Sequence, residues 1–145
     1  MKALISAVES VFLASGLFGF VNTHEPKSAP QSFGAAIWVQ AVRPIPTASG
    51  MGATTALVTV TARLFGNMIA EPQDEIDPAM LDAVSVVLGD LTSDLTLNGT
   101  CRNIDLLGET GESLSMRAGY AEYSGKLFRV MDITVPCIKN DVWSH

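Results

Sequence analysis

Residues 113–136 read Ser113-Leu-Ser-Met-Arg-Ala-Gly-Tyr-Ala-Glu-Tyr123, then Ser124-Gly125-Lys126, then Leu127-Phe-Arg-Val-Met-Asp-Ile-Thr-Val-Pro136. In the first arm Leu114, Met116, Ala118 and Tyr120 share one parity, and Ser115, Arg117, Gly119 and Ala121 the other. In the second arm Leu127, Met131, Ile133 and Val135 share a parity that only Arg129 interrupts, with Asp132 and Thr134 opposite. Alternation of period two on both sides of a short glycine-containing connection predicts an antiparallel hairpin with one buried face. Pro136 has no N–H for the ladder, so pairing should stop there or continue only at an edge. Nothing in this hairpin carries catalytic chemistry. It is scaffold.

Upstream, Ile5, Val8 and Phe12 recur at helical spacing with Leu4 and Val11 beside them, which predicts an amphipathic helix ending near Ala14–Gly16. Gly16, Gly19, Asn22, Pro26 and Pro30 mark an irregular connection. Phe33–Arg43 is β-rich and mostly apolar, a strand expected to be buried on much of both faces, with Trp38 in the core. Thr54–Phe65 alternates apolar and polar residues and is the clearest strand of the first half. The breaker-rich, uncharged stretch between these strands, Pro44 to Gly52, is long for a hairpin loop. It is either a tip with no role or a contact loop in which exposed Ile45 and Met51 favour burial against a neighbour.

Asp77-Pro78 predicts a helix start, with Asp as N-cap and Pro at N1, and Ile76 and Leu81 placed as a hydrophobic staple. Leu81, Val84, Leu88 and Leu91 then mark one face of a helix from about Pro78 to Leu91. Asn98-Gly99 between Leu95-Thr96-Leu97 and Thr100-Cys101-Arg102 predicts a compact hairpin with a type I′ turn. No repeat or internal boundary interrupts the chain. The expected fold is a single α+β domain over residues 1–145, a largely antiparallel β-sheet packed with two α-helices.

With 145 residues the chain can bury a sizeable core. Only 17% of its residues are charged against 48% hydrophobic, so apolar patches that need a partner are expected. The net charge of −6 and the scattered positions of Arg102, Arg117, Lys126 and Arg129 argue against a basic nucleic-acid-binding face. Glu9 and Ser10 interrupt the first apolar run and one positive charge precedes it, so no export signal is expected. No run approaches the roughly 20 apolar residues that cross a bilayer.

Cys101 and Cys137 read as buried free thiols, with a disulfide left open. Together with His24 and His145 they lack metal-site spacing. Asp74, Glu75, Asp77 and Asp82 cluster at a helix start, where three of them suit solvation and the helix dipole better than acid–base work. Gly50-Met51-Gly52 and the Gly108/Gly111 turn lack the Lys-Ser/Thr of a phosphate loop. Tyr120, Tyr123, Phe128 and Trp143 lack basic partners for base stacking and belong more naturally to core or interface. No catalytic constellation, cofactor site or metal site is expected.

The C-terminal third adds a resemblance. Arg102-Asn103-Ile104-Asp105-Leu106-Leu107-Gly108, Ala118-Gly119-Tyr120, Phe128-Arg129-Val130-Met131-Asp132-Ile133-Thr134-Val135-Pro136 and Asn140-Asp141-Val142-Trp143 together resemble the C-terminal part of tail terminator proteins. Those proteins come from long-tailed bacteriophages, particularly of actinobacteria. The likeness in wording covers roughly the last third; earlier parts agree in size and element order.

The resemblance implies a non-enzymatic virion protein, assembled in the host bacterial cytoplasm, that forms a homo-oligomeric ring with six the expected count. Such a ring caps the tail tube, stops its polymerisation and meets the head–tail connector or stopper protein. DNA would pass through it without specific binding, which a negative charge suits. Another small connector or tail-completion protein is the nearest alternative, and a ligand-binding or enzymatic α+β domain a more distant one. Ile45, Met51, Tyr123 and Trp143 are the candidate interface residues.

Overall fold

The computed structural model of the chain describes residues 2–24, 34–45, 53–69, 78–123 and 125–144. The elements run α1 (Lys2–Ser15), β1 (Phe20–Asn22), β2 (Gly34–Pro44), β3 (Ala53–Ile69), α2 (Pro78–Ser93), β4 (Asn103–Ile104), β5 (Ser115–Tyr123) and β6 (Lys126–Ser144). They form one α+β domain around a curled sheet with β1, β2, β3 and β6 side by side. On its other side β6 pairs with β5 over Lys126–Thr134 and with β4 at Cys137–Ile138, so β5 and β4 share one flank end to end. All pairings are antiparallel except β1 with β2. No helix among the described residues is long and apolar enough to cross a membrane.

The expected hairpin is β5–β6, with Tyr123 opposite Lys126 and Gly125 at φ +75° in the connection. Met116 faces Ile133 and Ala118 faces Met131. The same parity continues across β3 and β2, where Met131, Ile133, Val135 and Cys137 stand beside Leu64, Ala62, Val60 and Val58, and these beside Ala35, Ile37, Val39 and Val42. This face carries the main core. Leu4, Val8 and Phe12 of α1 and Met80, Val84, Val87 and Leu91 of α2 pack on it. Gly16 stops α1 at φ +69°, its N–H bonded to Leu13 O, as a C-terminal glycine should.

Pairing does not stop at Pro136. β6 runs on to Ser144, between β3 and β4 as far as Ile138 and paired with β3 alone beyond it, and Pro136 stands opposite Thr59. The carbonyl of Pro136 accepts the Asp105 N–H at 2.8 Å, so its backbone polar side is turned away from β3. In an antiparallel ladder the N–H and C=O of one residue point the same way. The missing proline donor therefore falls in the interval between the last β5 pair, at Thr134, and the first β4 pair, at Cys137. The proline there forfeits only the reciprocal bond to the Asp105 carbonyl, outside either strand pair.

Four other expectations change. The stretch Leu95–Arg102 is a tight turn rather than a hairpin. Leu97, Asn98 and Gly99 have φ of 48°, 57° and 79°, and Thr100 N–H bonds Leu97 O. Asn-Gly makes its turn and the two arms do meet, with Cys101 N–H on Thr96 O at 3.2 Å, but no strand pair forms: Asn98 N–H donates to Asp94 Oδ2, and Arg102 N–H to Ile138 O.

The buried stripe of α2 is Met80, Ala83, Val84, Val87 and Leu91, while Leu81 is 41% exposed; the helix is turned by about one residue from the expected face. Its proposed N-cap Asp77 and staple residue Ile76 lie outside the described residues.

The connection after α1 contains a short strand, β1, held parallel to the start of β2. Finally, Phe128 and Val130, not only the expected Leu127 parity, are buried in β6, because the sheet has a second apolar cluster on its other face.

Candidate functional site

That second face begins with Ala36, Phe65, Phe128 and Val130, joined by Phe20, Trp38, Ala121 and Tyr123. The Tyr123 ring meets Phe65 edge-on at 5.6 Å and Phe128 at 6.2 Å between centroids. Beside it Arg63 Nε and Nη2 bond the two oxygens of Asp132 at 2.7 and 2.9 Å, and Arg63 Nη1 donates to Tyr123 Oη at 2.8 Å. The guanidinium lies 5.6 Å from the Trp38 ring centroid. The Asp132 bond, more than the opposing cost of burial, raises the arginine's pKa further, with Tyr123 adding to it. A planar fork held bidentate and stacked on an indole is fixed in orientation. Trp38, expected in the core, is half-buried here and caps this arginine.

At the other end of the face, the 105–113 segment crosses over. Arg43 bonds the Thr110 carbonyl, and Thr59 Oγ1 donates to Glu112 Oε2 at 2.6 Å. Asp105, only 4% exposed, organises the turn by accepting Glu109 N–H at 2.9 Å and Thr110 N–H at 2.8 Å, together with the Thr110 hydroxyl. Burial pushes its pKa up, but these donors outweigh it and leave the carboxyl below its usual value. The turn displays Leu106 and Leu107, the latter 83% exposed.

Of the four candidate interface residues, Ile45 is not available. It is 7% exposed, with its N–H on Thr55 O at 2.8 Å, because the chain folds back into the sheet one residue after β2. Met51 lies outside the described residues. Tyr123 is half-buried at the hairpin end, tied into the aromatic cluster and to Arg63. Trp143 is near the end of β6, its backbone opposite Thr54. By register Ile45 and Trp143 flank the same end of β3, at Thr55 and Thr54, whereas Tyr123 stands at the opposite end of the sheet. Among the described residues the exposed large apolar side chains are Leu13, Leu17, Leu81, Val86, Leu106, Leu107 and Tyr120. The signal was present in Leu106-Leu107, an apolar pair inside a turn with no periodic partner.

Two depressions lie among the described residues. An open groove of about 420 Å³ runs between Ala7, Val11 and Ala14 of α1 and Asp90 of α2 with Asp94 and Leu97 just past it. A polar one of about 210 Å³ is formed by Gly99–Arg102 with Lys139 and Asn140. Among the described residues no three His, Cys, Asp or Glu side chains gather as metal ligands. No protein-family model matches the chain, and no curated protein matches it either.

Proposed function

We propose that this chain is a structural subunit of a long-tailed phage virion, one that assembles into a ring, ends the tail tube and joins it to the head–tail connector. The observation that carries the reading is the ordered set of C-terminal segments that resemble tail terminator proteins. They occupy β4 and the turn after it, the middle of β5, and β6 nearly throughout. The resemblance thus follows one contiguous block of fold rather than scattered matches.

The sheet edges are compatible with it. β1 covers β2 only at Gly34–Ala36, so from Ile37 to Pro44 the outer side of β2 has no strand partner among the described residues. The outer side of β5 has none either. Unpaired edges at opposite sides of a sheet are available to a second copy. Contacts between unlike surfaces run head to tail and close into a ring when the rotation permits. The net charge of −6 suits a bore that DNA traverses without adhering.

The test is polymerisation of the cognate tail tube protein with and without this chain, read by electron microscopy. The expected result is shorter tubes with a ring at one end. Tubes of unchanged length with bare ends would overturn the proposal. In that case the groove beside α1 becomes the place to look for a ligand.

A further inference from the structure

Cys101 and Cys137 lie 36 residues apart in sequence and are both buried members of the main core. β4 brings them together. Ile104 stands opposite Cys137, and Arg102 N–H donates to Ile138 O at 2.7 Å, which pins the residue after Cys101 onto the residue after Cys137. The two thiols thus stand on adjacent, hydrogen-bonded backbone segments. Their surroundings differ. Cys137 is fully buried, with Sγ 3.8 Å from Val135 O. Cys101 is 8% exposed and lines the polar depression that Arg102 and Lys139 also line. The Lys139 ammonium is fixed there by donating to Thr100 O at 2.9 Å.

We propose that Cys101 and Cys137 are a redox-active dithiol that takes an anionic small-molecule disulfide at Cys101 and closes to an internal disulfide bond. The Cys137 thiol lowers the Cys101 pKa, against the effect of burial and with help from Lys139, whereas Cys137 is itself pushed up. Cys101, which opens on the depression beside Lys139, is the thiolate that attacks, and the enclosed Cys137 is the thiol that resolves. Attack of Cys101 Sγ on the reagent's S–S bond forms a mixed disulfide and releases one thiolate. That thiolate leaves with the Cys137 proton. Cys137 Sγ then displaces the second thiolate from Cys101, which picks up a proton from water. Both cysteines are oxidised and one disulfide is reduced to two thiols. Lys139 and Arg102 supply the positive charge that favours a carboxylate-bearing reagent. The product bond ties the 94–101 turn to β6 covalently.

The experiment treats the folded, reduced protein with oxidised glutathione, blocks remaining thiols and reads the intact mass and peptide map. The expected product has lost two hydrogens, carries a Cys101–Cys137 cross-link and reverts with a dithiol reductant. Cys137→Ser should stop at a glutathione adduct on Cys101, while Cys101→Ser should leave Cys137 unmodified in the folded state. Retention of both free thiols in the unaltered protein would overturn the proposal, as would a glutathione adduct on Cys101 that persists beside a free Cys137. The result on the unaltered protein decides the matter even where a variant folds poorly.

Discussion

Arg63 shows how much a single side chain organises on the second face. Its partner Asp132 is 69 residues away, its stacking partner Trp38 is on another strand, and its third partner Tyr123 closes the hairpin. Hydrogen bonds to charged, partly buried groups contribute more than neutral ones, so Asp132→Asn should lower stability by about 2 kcal/mol in urea denaturation. Arg63→Lys should lose a comparable amount, because an ammonium cannot reproduce the fork or the stacking.

Asp105 gives the pH dependence. Its folded-state pKa is lowered, so the stability it contributes is fully present above the unfolded value near 4 and is lost as pH falls through the folded value. Asp105→Asn should cost about 1–3 kcal/mol at neutral pH and flatten the acid limb of the stability profile below about pH 4. An acid limb unchanged by the substitution would contradict this. Neither pairing was legible from sequence. Arg63 and Asp132 were readable as the polar positions of two alternating strands, but which polar residue meets which depends on the register of β3 on β6. Asp105 sat in a turn as an ordinary loop acid, and only the folded turn aims backbone N–H groups at it.

At the level of elements, period and punctuation located α1, β2, β3, α2 and the β5–β6 hairpin to within a few residues, except for the far end of β6, which runs past Pro136 to Ser144. What they could not give was rotation and pairing. Leu81, Val84, Leu88 and Leu91 share two members with the true α2 stripe of Met80, Ala83, Val84, Val87 and Leu91, so the pattern was helical yet turned. Leu91→Ala should therefore cost about 2–5 kcal/mol, and Leu81→Ala less than about 1 kcal/mol, in parallel thermal or urea melts.

Two glycines offer a sharper contrast. A Cβ on Gly34 would come within 2.2–2.5 Å of three atoms of the Phe20 ring, a rigid group that also anchors β1. On Gly66 it would meet Met80 Sδ at 2.7 Å, in a side chain that can swing. Gly34→Ala should lose about 1–3 kcal/mol and the hydrogen-exchange protection of the β1–β2 ladder. Gly66→Ala should lose markedly less and keep that protection. β1 itself was hidden from sequence because three residues carry no period. The inner-strand Pro136 was misread because its tolerance comes from the spacing between β4 and β5, a property of the whole flank of β6.

At the level of the molecule, the main core is closed by two helices and the second face by an aromatic cluster, an arginine fork and the 105–113 segment. The chain still leaves Leu13, Leu17, Leu107 and two strand edges without cover among the described residues. A charge-poor composition made some such surface foreseeable, but not its location: Ile45 is spent inside its own chain, and Leu106-Leu107 takes the exposed place. The ring proposal turns on whether this surface meets further copies of the chain. Its most direct test is the solution mass by light scattering, measured alone and after mixing with tail tube protein. The proposal predicts a single discrete multiple of the 15.4 kDa chain mass in at least one of these conditions. The mass of one chain in both would contradict it.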